Sequence, residues 1–224
     1  MSTEIKISRD TSQGFAALLA VPVKAGVFND IDRLAEATTA LANLLISLLE
    51  AGPQASWTMR EQEVFAAAEK ARRRISRSLN KATGLAFKPH ILQLVRVQWE
   101  LFGTLRKAGT RLWTCADDRL ATESQAARDG ALIMSGITIE VRLAIRCFAL
   151  PGRRSEVSAH CAEVNRLARG VCAVPRPQVA AVVDGRATDF VRIMVWDDGL
   201  ALLVRAAEGF ADLAELIEGV VAEA

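Results

Sequence analysis

Three carboxylates near the end of the chain, Glu208, Asp212 and Glu215, stand four and three residues apart, a spacing that puts them along one stripe of a helix. Such a stripe suits a residual cation site or a partner-facing patch, and its default reading is a solvated helix face. A second group is basic: Arg72, Arg73 and Arg74 with Arg77. Guanidiniums at that density suit a phosphate or an anionic lipid headgroup, again against the default of a solvated face. His90 and His160 lie far apart with no Cys or carboxylate cluster at metal-ligand spacing, which predicts structural roles. The chain contains no His-x-x-x-His, no Gly-x-Ser-x-Gly elbow, no Gly-rich phosphate loop and no local Cys/His signature. No catalytic residue, metal ligand or cofactor is assigned, and the expectation is a protein without enzymatic activity.

The elements that position these residues read as helices. From Ile193 to Val221 the apolar residues fall at Ile193, Trp196, Leu200, Leu203, Ala207, Phe210, Ala214, Ile217 and Val221, in steps of three and four. That pattern makes one continuous apolar seam and calls for partner helices. Five earlier helices are expected. The first begins at Asn29 and runs through Ile31, Leu34, Leu41, Leu45 and Leu48, with Thr38 as its one polar seam member, to Gly52-Pro53. The second starts at Thr58-Met-Arg-Glu61, which has the form of a capping box, and runs to about Ala82 with Val64, Ala68, Ala71, Ile75 and Leu79 inward. The third enters through Phe87-Lys-Pro89-His and carries Ile91, Leu94, Leu101, Leu105, Ala108 and Leu112. The fourth starts at a second capping box, Thr122-Glu-Ser-Gln125, and tolerates Gly130 and Gly136 on its way to about Leu150. The fifth spans roughly Ser155 to Val171, before the helix-excluding Ala173-Val-Pro-Arg-Pro177. Val179 to Val183 is left as a brief helical extension or an extended segment before the Asp184-Gly185 turn.

The expected fold class is all-α, an elongated bundle of six long helices in two runs of three. Residues 1–26, with Gly14, Pro22 and Gly26 as breakers, are expected as an N-terminal segment that is a docking arm or a short helix near Phe15 to Ala20. Residues 27–224 form a single helical domain with halves of about 27–117 and 118–224. Composition agrees: hydrophobic residues make up 51% of 224, aromatics only 5%, and tyrosine is absent, which suits packing through Ala, Leu, Val and Ile. A net charge of +2 leaves little whole-molecule field for nucleic acid, so electrostatic roles must be local. A helical DNA-binding regulator is disfavoured, because no basic recognition helix follows a tight turn near the start. Arginine outnumbers lysine 22 to 6, a bias attributed first to coding composition. Cys115, Cys147, Cys161 and Cys172 show no Cys-x-x-Cys and are expected as reduced, packed thiols. Trp57, Trp99, Trp113 and Trp196 are expected to pack between helices rather than to stack bases. No apolar run reaches the ~20 residues of a membrane span, and Phe15 to Val23 makes a poor signal-peptide core. The protein is therefore expected to be soluble and cytoplasmic.

The closing segment, Trp196-Asp-Asp, then Leu202-Leu203, Asp212-Leu-Ala214 and Ile217-Glu-Gly-Val-Val221, resembles the last helix of PhoU-like phosphate-transport regulators. The stretch from Ile75-Ser-Arg-Ser-Leu79 through Phe87-Lys-Pro89-His-Ile91 resembles the family's link between its second and third helices. Ala108-Gly-Thr-Arg111 is similar as well. The likeness covers the chain from about Phe28 onward and is greatest to the accessory type found beside low-affinity inorganic phosphate transporters. It implies a non-enzymatic regulator that binds a phosphate transporter or its signalling partners, with peripheral membrane association through that transporter and with Arg72, Arg73, Arg74 and Arg77 available to the transporter's cytoplasmic face. Homo-oligomers remain open. The family's paired metal-binding acids align with Ala68 and Arg72, with Trp99 and Gly103 beside Glu100, with Cys161 and Asn165, and with Val204 and Glu208. Only Glu208 keeps a ligand type, with Asp212 one turn on, so no multinuclear metal cluster is expected. Those losses also support the alternative of a scaffolding helical bundle unrelated to phosphate.

Overall fold

Wherever apolar residues recur every three or four positions the chain is helical, and in the computed structural model six helices lie among the described residues. They are α1 (Pro22–Ala51), α2 (Ser56–Lys81), α3 (Lys88–Cys115), α4 (Ala121–Phe148), α5 (Arg154–Cys172) and α6 (Ala187–Glu223). The described residues are 22–51, 56–81, 88–115, 121–150, 152–174 and 187–223, and among them there is no strand. The all-α expectation holds. None of these helices is long and apolar enough to cross a membrane.

Helix α6 is the packing hub. All eight expected seam residues from Trp196 to Val221 are buried; the side chain of Ile193 lies outside the described residues. A further column, Ala206, Leu213 and Val220, is buried beside them. The face is this wide because α6 touches three helices, α3, α4 and α5, where a two-helix seam would need only alternate columns. Each large side chain so buried contributes about 1.5–3 kcal/mol.

Helix α1 plays the corresponding part elsewhere, packing against α2, α4 and α3. Ile31, Leu34, Leu41, Leu45 and Leu48 are buried as their spacing requires. Thr38, the polar member of that stripe, is satisfied by donating to the Leu34 carbonyl at 2.9 Å. Helices α1 and α4 run antiparallel. Arg128 Nε donates to the Leu49 carbonyl at 2.8 Å, Ser135 Oγ bonds Asn43 Oδ1 at 2.7 Å, and Arg142 and Arg146 reach Asp32. The first of these supplies a partner for one of the last carbonyls of α1, which its own helix leaves unbonded. Helices α3 and α6 also pair antiparallel, with Leu101 against Gly209, Leu112 against Gly199, and Arg111 joined to Asp198 at 3.0 Å.

Several boundaries differ from expectation for local reasons. Helix α1 begins at Pro22, so Pro22 and Gly26 belong to it rather than to an arm; proline in a first turn forfeits no helical hydrogen bond. The expected helix near Phe15 to Ala20 lies outside the described residues. Helix α2 begins at Ser56, which puts Thr58 inside its first turn rather than at its cap. Glu61 does not close a capping box: it is buried and pairs with Arg106 of α3. Helix α4 begins at Ala121, so Thr122 likewise lies within the helix; its side chain is outside the described residues. Helix α4 passes Gly130 and Gly136 unbroken and ends at Phe148, short of Leu150. Helix α6 starts at Ala187, six residues before Ile193. The segment around Val179 to Asp184-Gly185 is outside the described residues.

Gly109 is fixed by packing against a rigid ring. A Cβ on Gly109 would lie 2.8 Å from two ring carbons of Trp57, whose indole is buried at the start of α2, whereas a Cβ on Gly103 would meet nothing within 4 Å. Glycine costs about 1 kcal/mol against alanine in a helix, and overpacking costs about 1–3 kcal/mol. Gly103→Ala is therefore expected to raise the unfolding midpoint and Gly109→Ala to lower it, as measured by urea denaturation. Equal stabilisation by both would remove the Trp57 contact from the account.

Candidate functional site

On α2 a turn of about 100° per residue puts Lys70, Arg73, Arg74, Arg77 and Lys81 within one outward wedge about 100° wide. All five are exposed. Over 11 residues the row is about 16 Å long. The expected cluster of Arg72, Arg73, Arg74 and Arg77 is thus regrouped. Arg72 points inward, with its guanidinium carbon 4.6 Å from the Trp99 ring centroid, and its Nε is buried without a hydrogen-bond partner. It is a packing residue of the α2–α3 contact, seated on Trp99, which itself stacks on Phe102 at 5.7 Å. Lys70 and Lys81 take its place in the row. Their three- and four-residue steps from the arginines are the signal that would have found them.

Local pairing leaves the row largely uncompensated. Arg73 meets Glu69 at 2.7 Å, and Arg74 lies 3.8 Å from the buried Asp30, whose nearer partner is Arg33 at 2.9 Å. Lys70, Arg77 and Lys81 form no ion pair among the described residues. Beside the row, a groove of about 430 Å³ opens between α1 and α2, floored by Ala37, Ala40, Val64, Ala67 and Ala71 and edged by Arg33, Glu36, Lys70 and Arg74. The small alanine side chains leave the space, and cations stand on both walls.

The α1 wall is held by an ionic clamp to α4. Asp32 accepts from Nε and one terminal nitrogen of each of two guanidiniums: Arg142 at 2.9 and 3.4 Å, and Arg146 at 2.8 and 3.1 Å. Arg142 also draws Glu36 in at 3.1 Å, which offsets the groove's one carboxylate. Burial alone would raise the Asp32 carboxyl, but the hydrogen bonds and charges of Arg146 and Arg142 outweigh it and hold the group below its ordinary 3.8. A clamp between helices far apart in sequence leaves no local spacing to read.

The acidic stripe is where its spacing placed it. Glu208, Asp212 and Glu215 are all exposed on the outward side of α6. Helices α2 and α6 share no contact, so the basic and acidic rows lie on separate parts of the bundle. Among the described residues no group of three or more His, Cys, Asp or Glu side chains converges in a way that could hold a metal ion.

His160 pairs with Glu140 at 2.7 Å across α5 and α4, and His90 is half-buried at the start of α3. Cys147 and Cys161 are free, buried thiols. Burial, reinforced by Glu218, pushes Cys161 up to about 12, so it stays protonated and inert; burial and the Glu156 carboxylate also raise Cys147. Cys172 departs from the packed expectation and is exposed, as the last residue of α5, just after the buried Val171. The side chain of Cys115 is outside the described residues. Trp57 and Trp196 are buried and Trp99 and Trp113 pack against the core, as expected for helix-packing residues.

No protein-family model matches the chain, and no curated protein matches it.

The clamp gives a pH signature. Because Asp32 holds its proton less readily folded than unfolded, its stabilisation is complete above the unfolded value and is lost as pH falls below about 4 through the depressed folded value. Asp32→Asn is expected to cost about 2 kcal/mol at neutral pH and to flatten the acid limb of the stability curve. Urea melts across pH check this, and an acid limb as steep as the wild type's would show that the clamp contributes nothing.

Proposed function

We propose that the chain is a PhoU-like, non-enzymatic regulator or accessory protein of inorganic phosphate transport, acting in the cytoplasm by protein–protein binding. The observation that carries the reading is the order in which the six helices touch. In the first run α1 meets α2 and α3; in the second α4 meets α5 and α6. Across the two runs, first helix meets first (α1 with α4) and third meets third (α3 with α6). That order supports a doubled three-helix organisation with halves of about 27–117 and 118–224, the one that the resemblance implies. The match is incomplete at one place, since α2 touches α3 only lightly while α5 packs firmly on α6.

The loss of metal ligands is consistent with this reading. Arg72 and Trp99, which align with acids of two different family helices, stand against each other as a cation–π pair. Two positions that align with metal-binding acids of the family instead share a packing contact here. A regulator without its metal ions would act by presenting charged helix faces to its partner, and its effect would depend on which transporter state it binds better. The same replacement gives weight to the second reading, a scaffolding bundle unrelated to phosphate.

Phosphate uptake separates the two. In cells lacking the protein, uptake of labelled phosphate is expected to change and to be restored by a plasmid copy. Uptake indistinguishable from the parent, at both scarce and abundant phosphate, would leave the scaffolding reading. Purified protein is also expected to carry no stoichiometric iron, zinc or manganese by elemental analysis, and one metal ion or more per chain would contradict the account of Arg72.

A further inference from the structure

We infer that the basic row of α2 is a docking face for an anionic membrane surface, independent of any transporter. The row consists of Lys70, Arg73, Arg74, Arg77 and Lys81, with Arg33 joining it across the groove from α1. Long Lys and Arg side chains on one exposed wedge can bring their charges to a flat anionic plane together, and each is worth about a fivefold gain in binding there. Only Glu63, two turns before Lys70, carries the opposite charge on the same wedge.

Helix-dipole complementarity explains less of this row. Cations favour the last turn of a helix, which accounts for Lys81 and at most Arg77, but not for Lys70, Arg73 or Arg74. The position of α2 supports the docking role. It packs mainly on α1, and none of the other described helices covers its outward wedge. The groove beside it offers a headgroup phosphate cations from two helices, Arg33 on one wall and Lys70 and Arg74 on the other. Charge segregation supplies the orientation: with a net charge of only +2, the molecule keeps an acidic row, Glu208, Asp212 and Glu215, on α6, which α2 does not touch. A bilayer of negative charge therefore attracts one side of the molecule and is indifferent to or repels the other.

The test is co-sedimentation of the full chain with vesicles of phosphatidylcholine alone or with about one third phosphatidylglycerol. Binding is expected only to the anionic vesicles and to be lost in about 0.5 M salt. The variant Lys70→Gln/Arg77→Gln/Lys81→Gln removes three cations that form no ion pair among the described residues and so should leave the fold intact. It is expected to weaken binding roughly a hundredfold, while Glu208→Gln/Asp212→Gln/Glu215→Gln leaves it unchanged or stronger. Equal sedimentation with both vesicle types, or binding that the triple variant retains, would overturn the inference. So would a wild-type chain that ignores anionic vesicles but binds inorganic phosphate or polyglutamate, which would assign the row to free phosphate or to an acidic protein. Because the vesicles contain no transporter, this result stands or falls separately from phosphate uptake.

Discussion

The structure depends on burying the three-sided apolar face of α6. A helix with apolar residues at two heptad positions is content with one partner, but adding the column of Ala206, Leu213 and Val220 exposes more surface than one neighbour can cover. Helices α3, α4 and α5 together cover it. Once they are gathered round α6, α4 fixes α1 through Arg128, Ser135 and the Asp32 clamp, and α1 in turn carries α2. The order of dependence therefore runs inward to outward. It leaves α2 the least enclosed helix, and the basic row is on it.

Polar groups set the register that apolar packing alone leaves loose. Leucine and alanine columns tolerate sliding by a heptad, whereas Asp32 gripping two guanidiniums does not, because a shift of one turn would separate a partly buried carboxylate from both partners. Glu61 with Arg106 does the same for the outer helix, tying α2 to α3 where their apolar contact is light. Arg106 also lies over the Phe65 ring at 4.2 Å and Arg72 over Trp99, so cations on aromatic faces join the Phe65–Trp99 and Phe65–Phe102 ring contacts in holding α2 to α3. These contacts consume the charges that face inward and leave the outward ones to solvent or to a partner.

Much of this was legible in the sequence because helix periodicity is local. The seam of α6, the stripe of α1 with its polar Thr38, and the outward acids at 208, 212 and 215 all follow from steps of three and four. Misreadings arose where a local motif was taken by a distant partner. Thr58-Met-Arg-Glu61 has the spacing of a capping box, yet its glutamate is claimed by an arginine 45 positions later. Arg72 looked like one of a run of exposed cations, yet its angle on the helix differs from those of Arg73 and Arg74, and only the presence of Trp99 on α3 explains its inward turn. The groove and the clamp are made by α1 meeting α2 and α4, and no spacing along one helix encodes them.

The hierarchy of helices is most directly tested by native-state hydrogen exchange resolved along the chain. The slowest amides are expected in α6 between Trp196 and Val221 and in the facing part of α3 between Leu101 and Leu112, opening only with global unfolding, while α2 exchanges earlier as the outermost unit. Amides of α2 protected as long as those of α6, or α6 exchanging first, would contradict the claim that its three-sided face organises the bundle.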